Sequence, residues 1–204
     1  MGICYVVGAG DCPRLDIDKK GGDCIIAADA GYSYCEENNV IPDVIIGDFD
    51  SLGAAPQAEN VIKLNPVKDI TDMHAAVEVG IEKGFSKFVL YGATGGRLDH
   101  TLANLQLIAF LSKKGFDAKI IDSERIITAL SNGKITFDAS CKGYISVFAH
   151  SDKCEGVTIK GLKYLLDGAV LTNSFPLGVS NEFTGQKSEI SIAKGTAIIV
   201  YGGY

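Results

Sequence analysis

Short apolar runs separated by longer mixed segments set the rhythm of the first 122 residues. The runs are Ile3–Val7, Cys24–Ala28, Val44–Ile46, Val61–Leu64, Phe88–Tyr91 and Lys119–Ile121. Near-continuous apolar stretches of this length predict strands buried on both faces of a parallel sheet. Between them Met73, Val77, Gly80 and Ile81 recur at helical spacing, which predicts a helix over Thr71–Lys83. Thr71 suits its N-cap, Asp72 complements the positive helix start, and Gly84 suits the stop. Leu98, Leu102, Leu105 and Ala109 predict a second amphipathic helix, closed by Lys113, Lys114 and Gly115. Strands alternating with helices read as a three-layer α/β domain with a mostly parallel sheet.

From Arg125 onward the rhythm changes. Arg125–Leu130, Lys134–Asp138, Tyr144–Ala149, Val157–Lys160, Ala169–Thr172, Glu189–Ala193 and Ala197–Tyr201 are short β-type stretches. Turn signals such as Ser131-Asn132-Gly133 and Lys194-Gly195 divide them. No helical period of useful length intervenes, so a compact antiparallel sandwich or barrel is expected. The expected division is therefore an α/β domain over 1–124 and a β domain over 125–204. The junction near 122–126 carries no Pro/Gly linker, which leads us to expect two packed parts.

Composition narrows the classes. A chain of 204 residues with 47% apolar and 22% charged residues can bury a real core and is neither a disordered tail nor a membrane protein. A net charge of −6 argues against a nucleic-acid surface, which needs a basic field. An acidic protein still binds a polyphosphate when a divalent cation bridges the two sets of negative charge. The six cysteines form no CxxC pair and only three histidines accompany them, which argues against structural zinc. No cationic start with a long apolar stretch marks a signal peptide, and Val6 breaks the myristoylation pattern that Met1-Gly2 opens. Free thiols in a cytoplasmic protein are the expectation.

The candidate chemistry lies at strand ends. Gly8-Ala9-Gly10 follows a strand, but Pro13 occupies the third glycine position of a dinucleotide loop, and no Walker-type phosphate loop exists. Asp29 follows one predicted strand and Asp48-Phe49-Asp50-Ser51 follows the next. In open α/β sheets ligands bind outside the carboxyl ends of strands, where these acids would lie. An aspartate there also serves as a turn former. Two carboxylates two residues apart, however, repel unless a cation or proton separates them, and hard oxygen ligands suit Mg²⁺. Lys68-Asp69-Ile70-Thr71-Asp72 stands at a helix start, as a cap with a dipole partner or as the completion of a metal site with Lys68 on a phosphate. In Gly92-Ala93-Thr94-Gly95-Gly96-Arg97-Leu98-Asp99-His100 a glycine turn lets N–H groups approach an anion, and Arg97 adds a charged fork.

Taken together these segments resemble the thiamine pyrophosphokinase family. The resemblance rests on Ala28-Asp29-Ala30-Gly31, on Pro42-Asp43 with Gly47-Asp48-Phe49-Asp50-Ser51, and on Lys68-Asp69-x-Thr71-Asp72. It continues through Gly92 to Thr101, Gly161-Leu162-Lys163-Tyr164 and Ser180-Asn181-Glu182, so it spans nearly the whole chain. It implies conversion of ATP and thiamine to AMP and thiamine diphosphate with Mg²⁺. It also implies an N-terminal α/β domain, a C-terminal β-sandwich, and a homodimer with shared active sites. By position, Asp48, Asp50 and Asp72 would hold Mg²⁺. Asp29, Lys68, Asp69, Thr94 and Arg97 would surround ATP, with Asp99 shaping the pocket. Tyr164, Ser180 and Asn181 would face thiamine, and the ring of Tyr164 either stacks on the thiazolium or points into the core. His100 reads as a base or, after Asp99 at a helix start, as a structural hydrogen-bonding group. Two other readings compete. Asp48-Phe49-Asp50 resembles the start of an Asp-nucleophile phosphatase, although Leu52 departs from that motif, and a non-catalytic nucleotide sensor would use the same fold.

Overall fold

The computed structural model describes residues 2–12, 14–49, 60–65, 69–123 and 125–202. The chain forms two compact units, one of residues Met1–Leu107 and Phe116–Ser123, the other of Ile108–Gly115 and Glu124–Tyr204.

In the first unit the apolar runs become strands. They are β1 (Cys4–Val7), β2 (Cys24–Ala28), β3 (Val44–Gly47), β4 (Val61–Lys63), β5 (Lys87–Tyr91) and β6 (Asp117–Ile121). All pair in parallel, in the order β6-β5-β1-β2-β3-β4. β1, β2 and β3 are buried at every position, as strands covered on both faces must be. Helix α1 (Gly31–Glu37) places Cys35 among Tyr5, Val7, Ile25 and Val89. Helix α2 (Asp72–Glu82) presses Gly80 against Cys4 and Phe88, which point to the opposite face. The result is three layers.

The capping reading of α2 holds. Thr71 lies in extended conformation as the N-cap and its hydroxyl accepts from the His74 N–H at 3.2 Å. The apolar stripe of α3 (Leu98–Lys113) differs from expectation. Leu98 and Leu102 are 71% and 53% exposed, whereas Asn104, Leu107, Ile108 and Leu111 are buried. This helix carries apolar residues on more than one face, and periodicity alone does not say which face a sheet will cover.

The second unit holds two antiparallel sheets. One is ordered β12 (Gly178–Glu182), β9 (Tyr144–Ala149), β14 (Thr196–Tyr201) and β7 (Ile126–Ser131). The other is ordered β11 (Leu166–Thr172), β10 (Lys153–Lys160), β13 (Ser188–Ser191) and β8 (Lys134–Phe137). Ile145 and Val147 of the first sheet and Val157, Ile159 and Ile190 of the second share one core, so this is a sandwich. β12 is a strand the sequence pattern missed. Gly-Val-Ser-Asn-Glu has no β alternation, and its pairing with β9 shifts register between Gly178 and Asn181. Ser180 and Asn181 therefore lie on a sheet strand and not in a loop. Among the described residues no helix is long and apolar enough to cross a membrane.

Candidate functional site

The order of the parallel sheet locates a crevice before any side chain is considered. From β1 the chain proceeds outward through β2, β3 and β4, then returns to the other side of β1 for β5 and β6. The connections that leave β1 and β5 therefore run in opposite directions across the sheet, toward β2 and β6, and ligands bind at such a switch point. The loop after β1 is Gly8-Ala9-Gly10, and the loop after β5 runs over residues 92–96. They are hydrogen-bonded to each other, with Gly10 N–H donating to the Gly92 carbonyl and Asp11 N–H to the Thr94 carbonyl, both at 2.8 Å. The approach demands glycine. A Cβ on Gly92, where φ is +58°, would lie 2.3 Å from the Gly8 carbonyl oxygen, and one on Gly10 would lie 2.4 Å from that of Thr94. Gly8-Ala9-Gly10 thus belongs to the site although it is no dinucleotide motif. Its signal was position after a central strand, not spacing.

Over these loops lies a pocket of about 300 Å³. Asp29, Asp72, Arg97, His100 and Asn104 supply its polar lining, and Ala9, Ala28, Met73 and Ala93 its apolar floor. Asp29 leaves the end of β2 with φ +50°, an arrangement Asp tolerates better than most residues, and its N–H donates to the Ile46 carbonyl at 2.8 Å. Gly47 packs on Asp29, its position for a Cβ being 3.0 Å from the Asp29 Cα, so Asp48 follows directly beside that residue. Phe49 then adopts φ +62° and is buried in the core. Asp50 and Lys68 lie outside the described residues.

The expected residues divide accordingly. Asp29, Asp72 and Arg97 line the pocket, and Asp48 stands at the adjoining strand end. Asp69 is exposed and is not part of the lining. Thr94 is buried and takes part through its carbonyl. Asp99 is exposed and bonded to Arg97, with Nε to Oδ1 at 3.2 Å and a second contact from Nη2 to Oδ2. That bidentate pair holds the Asp99 carboxyl below the usual carboxylate range and raises the guanidinium. His100, read mainly as a structural group, faces the pocket.

Among the described residues no three acids, histidines or cysteines gather tightly enough to cage an ion by themselves. The donor chemistry nevertheless fits Mg²⁺, which keeps its waters and takes one or two carboxylates together with substrate phosphates. Asp29, Asp48 and Asp72 are hard oxygen donors.

In the second unit Tyr164 is 58% exposed, not in the core. Asn181 is buried and gives its whole amide to the backbone. Oδ1 accepts from the N–H groups of Tyr164 and Glu182 at 2.9 Å, and Nδ2 donates to the Tyr164 carbonyl at 2.7 Å. Lys163 is held by Glu182 at 2.8 Å, and its ammonium stands 5.6 Å from the Tyr164 ring centre. Ser180, with φ +58°, borders a groove of about 410 Å³ with Arg125, Tyr144, Ser146 and Phe148.

Comparison with known proteins agrees with this geometry. Residues 19–120 match the family described as thiamin pyrophosphokinase, catalytic domain, and residues 133–197 match thiamin pyrophosphokinase, vitamin B1 binding domain. Thiamine pyrophosphokinase of Bacillus subtilis is 30% identical over 183 residues, covering 86% of this chain and 85% of its own. Thiamin pyrophosphokinase 1 of Caenorhabditis elegans is 27% identical over 173 residues, covering 78% and 68%. The crystal structure of thiamine pyrophosphokinase from Bacillus subtilis aligns with a TM-score of 0.88 at 27% identity over 99% of both chains. With both of its units matched in order, the chain belongs to the thiamine pyrophosphokinase family.

Proposed function

We propose that this chain transfers the diphosphate group of ATP to the hydroxyethyl oxygen of thiamine, giving thiamine diphosphate and AMP. The observation that carries the reading is the crevice between β1 and β5, where interlocked glycine loops, carboxylates and a guanidinium meet in a member of this family. Family membership sets aside the phosphatase and sensor readings. In the balanced step the thiamine hydroxyl oxygen bonds to the β-phosphorus of ATP as the bond from that phosphorus to the α,β-bridging oxygen breaks. AMP leaves with the bridging oxygen, and the hydroxyl proton passes to a base. Such transfer depends on alignment and on compensating charge across the phosphate oxygens.

The first part of the chain, 1–124, is assigned to ATP and the metal, with Asp29, Thr94 and Arg97 around the nucleotide and Lys68 and the exposed Asp69 carried over from the resemblance alone. Loop N–H groups and Arg97 face phosphate charge, and Asp99 orients Arg97. Asp48, Asp50 and Asp72 are assigned to Mg²⁺, which when bound neutralises phosphate oxygens. Asp29, Asp72 and His100 are pocket groups with the chemistry to accept the hydroxyl proton. The second part, 125–204, is assigned to thiamine. Tyr164 offers an aromatic face to the fixed positive charge, Asn181 holds the Tyr164 backbone in place, and Ser180 supplies a hydroxyl at the rim. A homodimer with shared active sites is the assignment, and the exposed apolar side chains Leu98 and Leu102 on α3 and Tyr144 and Phe148 on β9 support self-association. Six free cysteines support a reducing, cytoplasmic setting.

Incubation with ATP, Mg²⁺ and thiamine tests the reading. AMP and thiamine diphosphate are expected, with no turnover when Mg²⁺ is omitted. ADP with thiamine monophosphate would overturn the diphosphate assignment.

A further inference from the structure

Asn104 sits in the interior of α3, where asparagine is a weaker helix former than leucine or alanine, and it is only 5% exposed. A buried amide needs a partner. Its Nδ2 donates to the Ala93 carbonyl at 2.8 Å, in the middle of the glycine loop after β5. That loop has positive φ at Gly92, Gly95 and Gly96, so left to itself it would sample many conformations. Three successive carbonyls are instead taken. Gly92 accepts from Gly10 N–H, Ala93 from Asn104, and Thr94 from Asp11 N–H. In a trans peptide the N–H points opposite to the C=O, so these three bonds set the directions of the Ala93, Thr94 and Gly95 N–H groups. Among the described residues none of those N–H groups donates to a protein acceptor. Asn104 lines the same pocket as Gly92, Ala93, Gly95 and Gly96 of this loop, while Thr94 lies buried between them.

We propose that Asn104 is a positioning residue for the phosphate donor. Its amide locks the Ala93–Thr94 peptide and so fixes the path of the loop whose glycines and N–H groups border the polyphosphate. Two of the three locks come from the chain after β1, and Asn104 is the one supplied by a side chain, hence the one a substitution can remove. The inference rests on the reading of this pocket as the ATP site.

The test uses Asn104→Leu, which keeps the γ-branched shape and the helix but lacks the donor, and Asn104→Asp, which turns a carboxylate toward the carbonyl. Both are compared with the parent by thermal melting, by calorimetric titration with ATP plus Mg²⁺, and by steady-state kinetics in each substrate. Folded variants should bind ATP about tenfold more weakly, the factor that corresponds to losing one hydrogen bond. The thiamine KM should stay unchanged. Parent-like ATP affinity in either folded variant, an equal rise in both KM values, or failure of both variants to fold would each overturn the positioning assignment. A parent that binds ATP but forms no thiamine diphosphate would instead overturn the functional reading and leave the titration comparison standing.

Discussion

Phe49 shows how a single residue carries two obligations. A bulky side chain at positive φ is strained, of the order of 1–3 kcal/mol, and persists where surroundings over-determine it. Burial of the ring in the core supplies that constraint, and Asp48 immediately precedes it after the end of β3. Asp48→Asn and Asp72→Asn should lose about 100-fold or more in turnover, the scale for removing one charge-organising group. Both variants should still fold cooperatively, since each exchange keeps the side-chain size, with Asp72→Asn losing only the modest helix-dipole contribution of the first-turn carboxylate. Near-normal kcat in either variant would remove that residue from the site. For Asp99 the sign of the pH effect can be worked out. Its carboxyl is held low by Arg97, so the pair persists above the ordinary aspartate range of about 3.9 and is lost only as pH falls through the still lower folded value. The acid limb of the rate profile near neutrality should accordingly keep its midpoint in Asp99→Asn, and a displaced midpoint would show that Asp99 itself titrates in turnover.

At the scale of elements, the site depends on how loops and helix starts are fastened. Thr71 caps α2 and holds the turn from which Asp72 projects. Thr71→Ala should destabilise the protein by about 1 kcal/mol in chemical denaturation, the usual cost of a lost N-cap, and lower activity by displacing Asp72. Glycine loops make a sharper contrast. Gly10→Ala forces a Cβ into the Thr94 carbonyl, and backbone cannot yield as a side-chain tip can, so activity and stability should both fall. Gly21→Ala meets no atom within 4 Å and has no left-handed φ, so it should leave the melting temperature unchanged or slightly raised. If the two glycine variants behave alike, interlocking of the two loops is not what makes Gly10 necessary. The capped helix was legible in the sequence because Thr71, Asp72 and Gly84 act locally. The interlock was not, since Gly10 and Gly92 meet only after a sheet brings β1 beside β5.

On the scale of the whole molecule, large apolar side chains stand exposed on α3 and β9, among others. Tyr144 and Phe148 alternate with buried Ile145 and Val147 along β9, so one side of the strand faces outward with two large rings. Sedimentation should give twice the 21.6 kDa chain mass. If the subunits share sites, mixing Asp72→Asn chains with Tyr164→Ala chains should recover part of the activity, because one of the two hybrid sites is intact. Verified mixed dimers with no recovery would mean that each subunit works alone.

Several features were determined by the sequence itself. Buried apolar runs of strand length, a capped helix over 71–83 and a late change to short β-type stretches between turn signals specified a parallel α/β unit followed by an antiparallel β unit, sandwich or barrel, because these signals are local. The resemblance, and then the packing of the two sheets, decided for the sandwich. The acids at strand ends were legible for the same reason, since an aspartate after an apolar run lies at a strand's carboxyl edge whatever the strand order. Tertiary structure alone decided which of them face one pocket. It brought Asp29, Asp72 and Arg97 onto the lining and left Asp69 exposed. It also chose the buried face of α3, made β12 a strand despite its polar sequence, and gave Asn104 and Asn181 to backbone carbonyls and amides far along the chain. Those outcomes depend on which surfaces meet, and the energy that selects them arises only when distant segments pack.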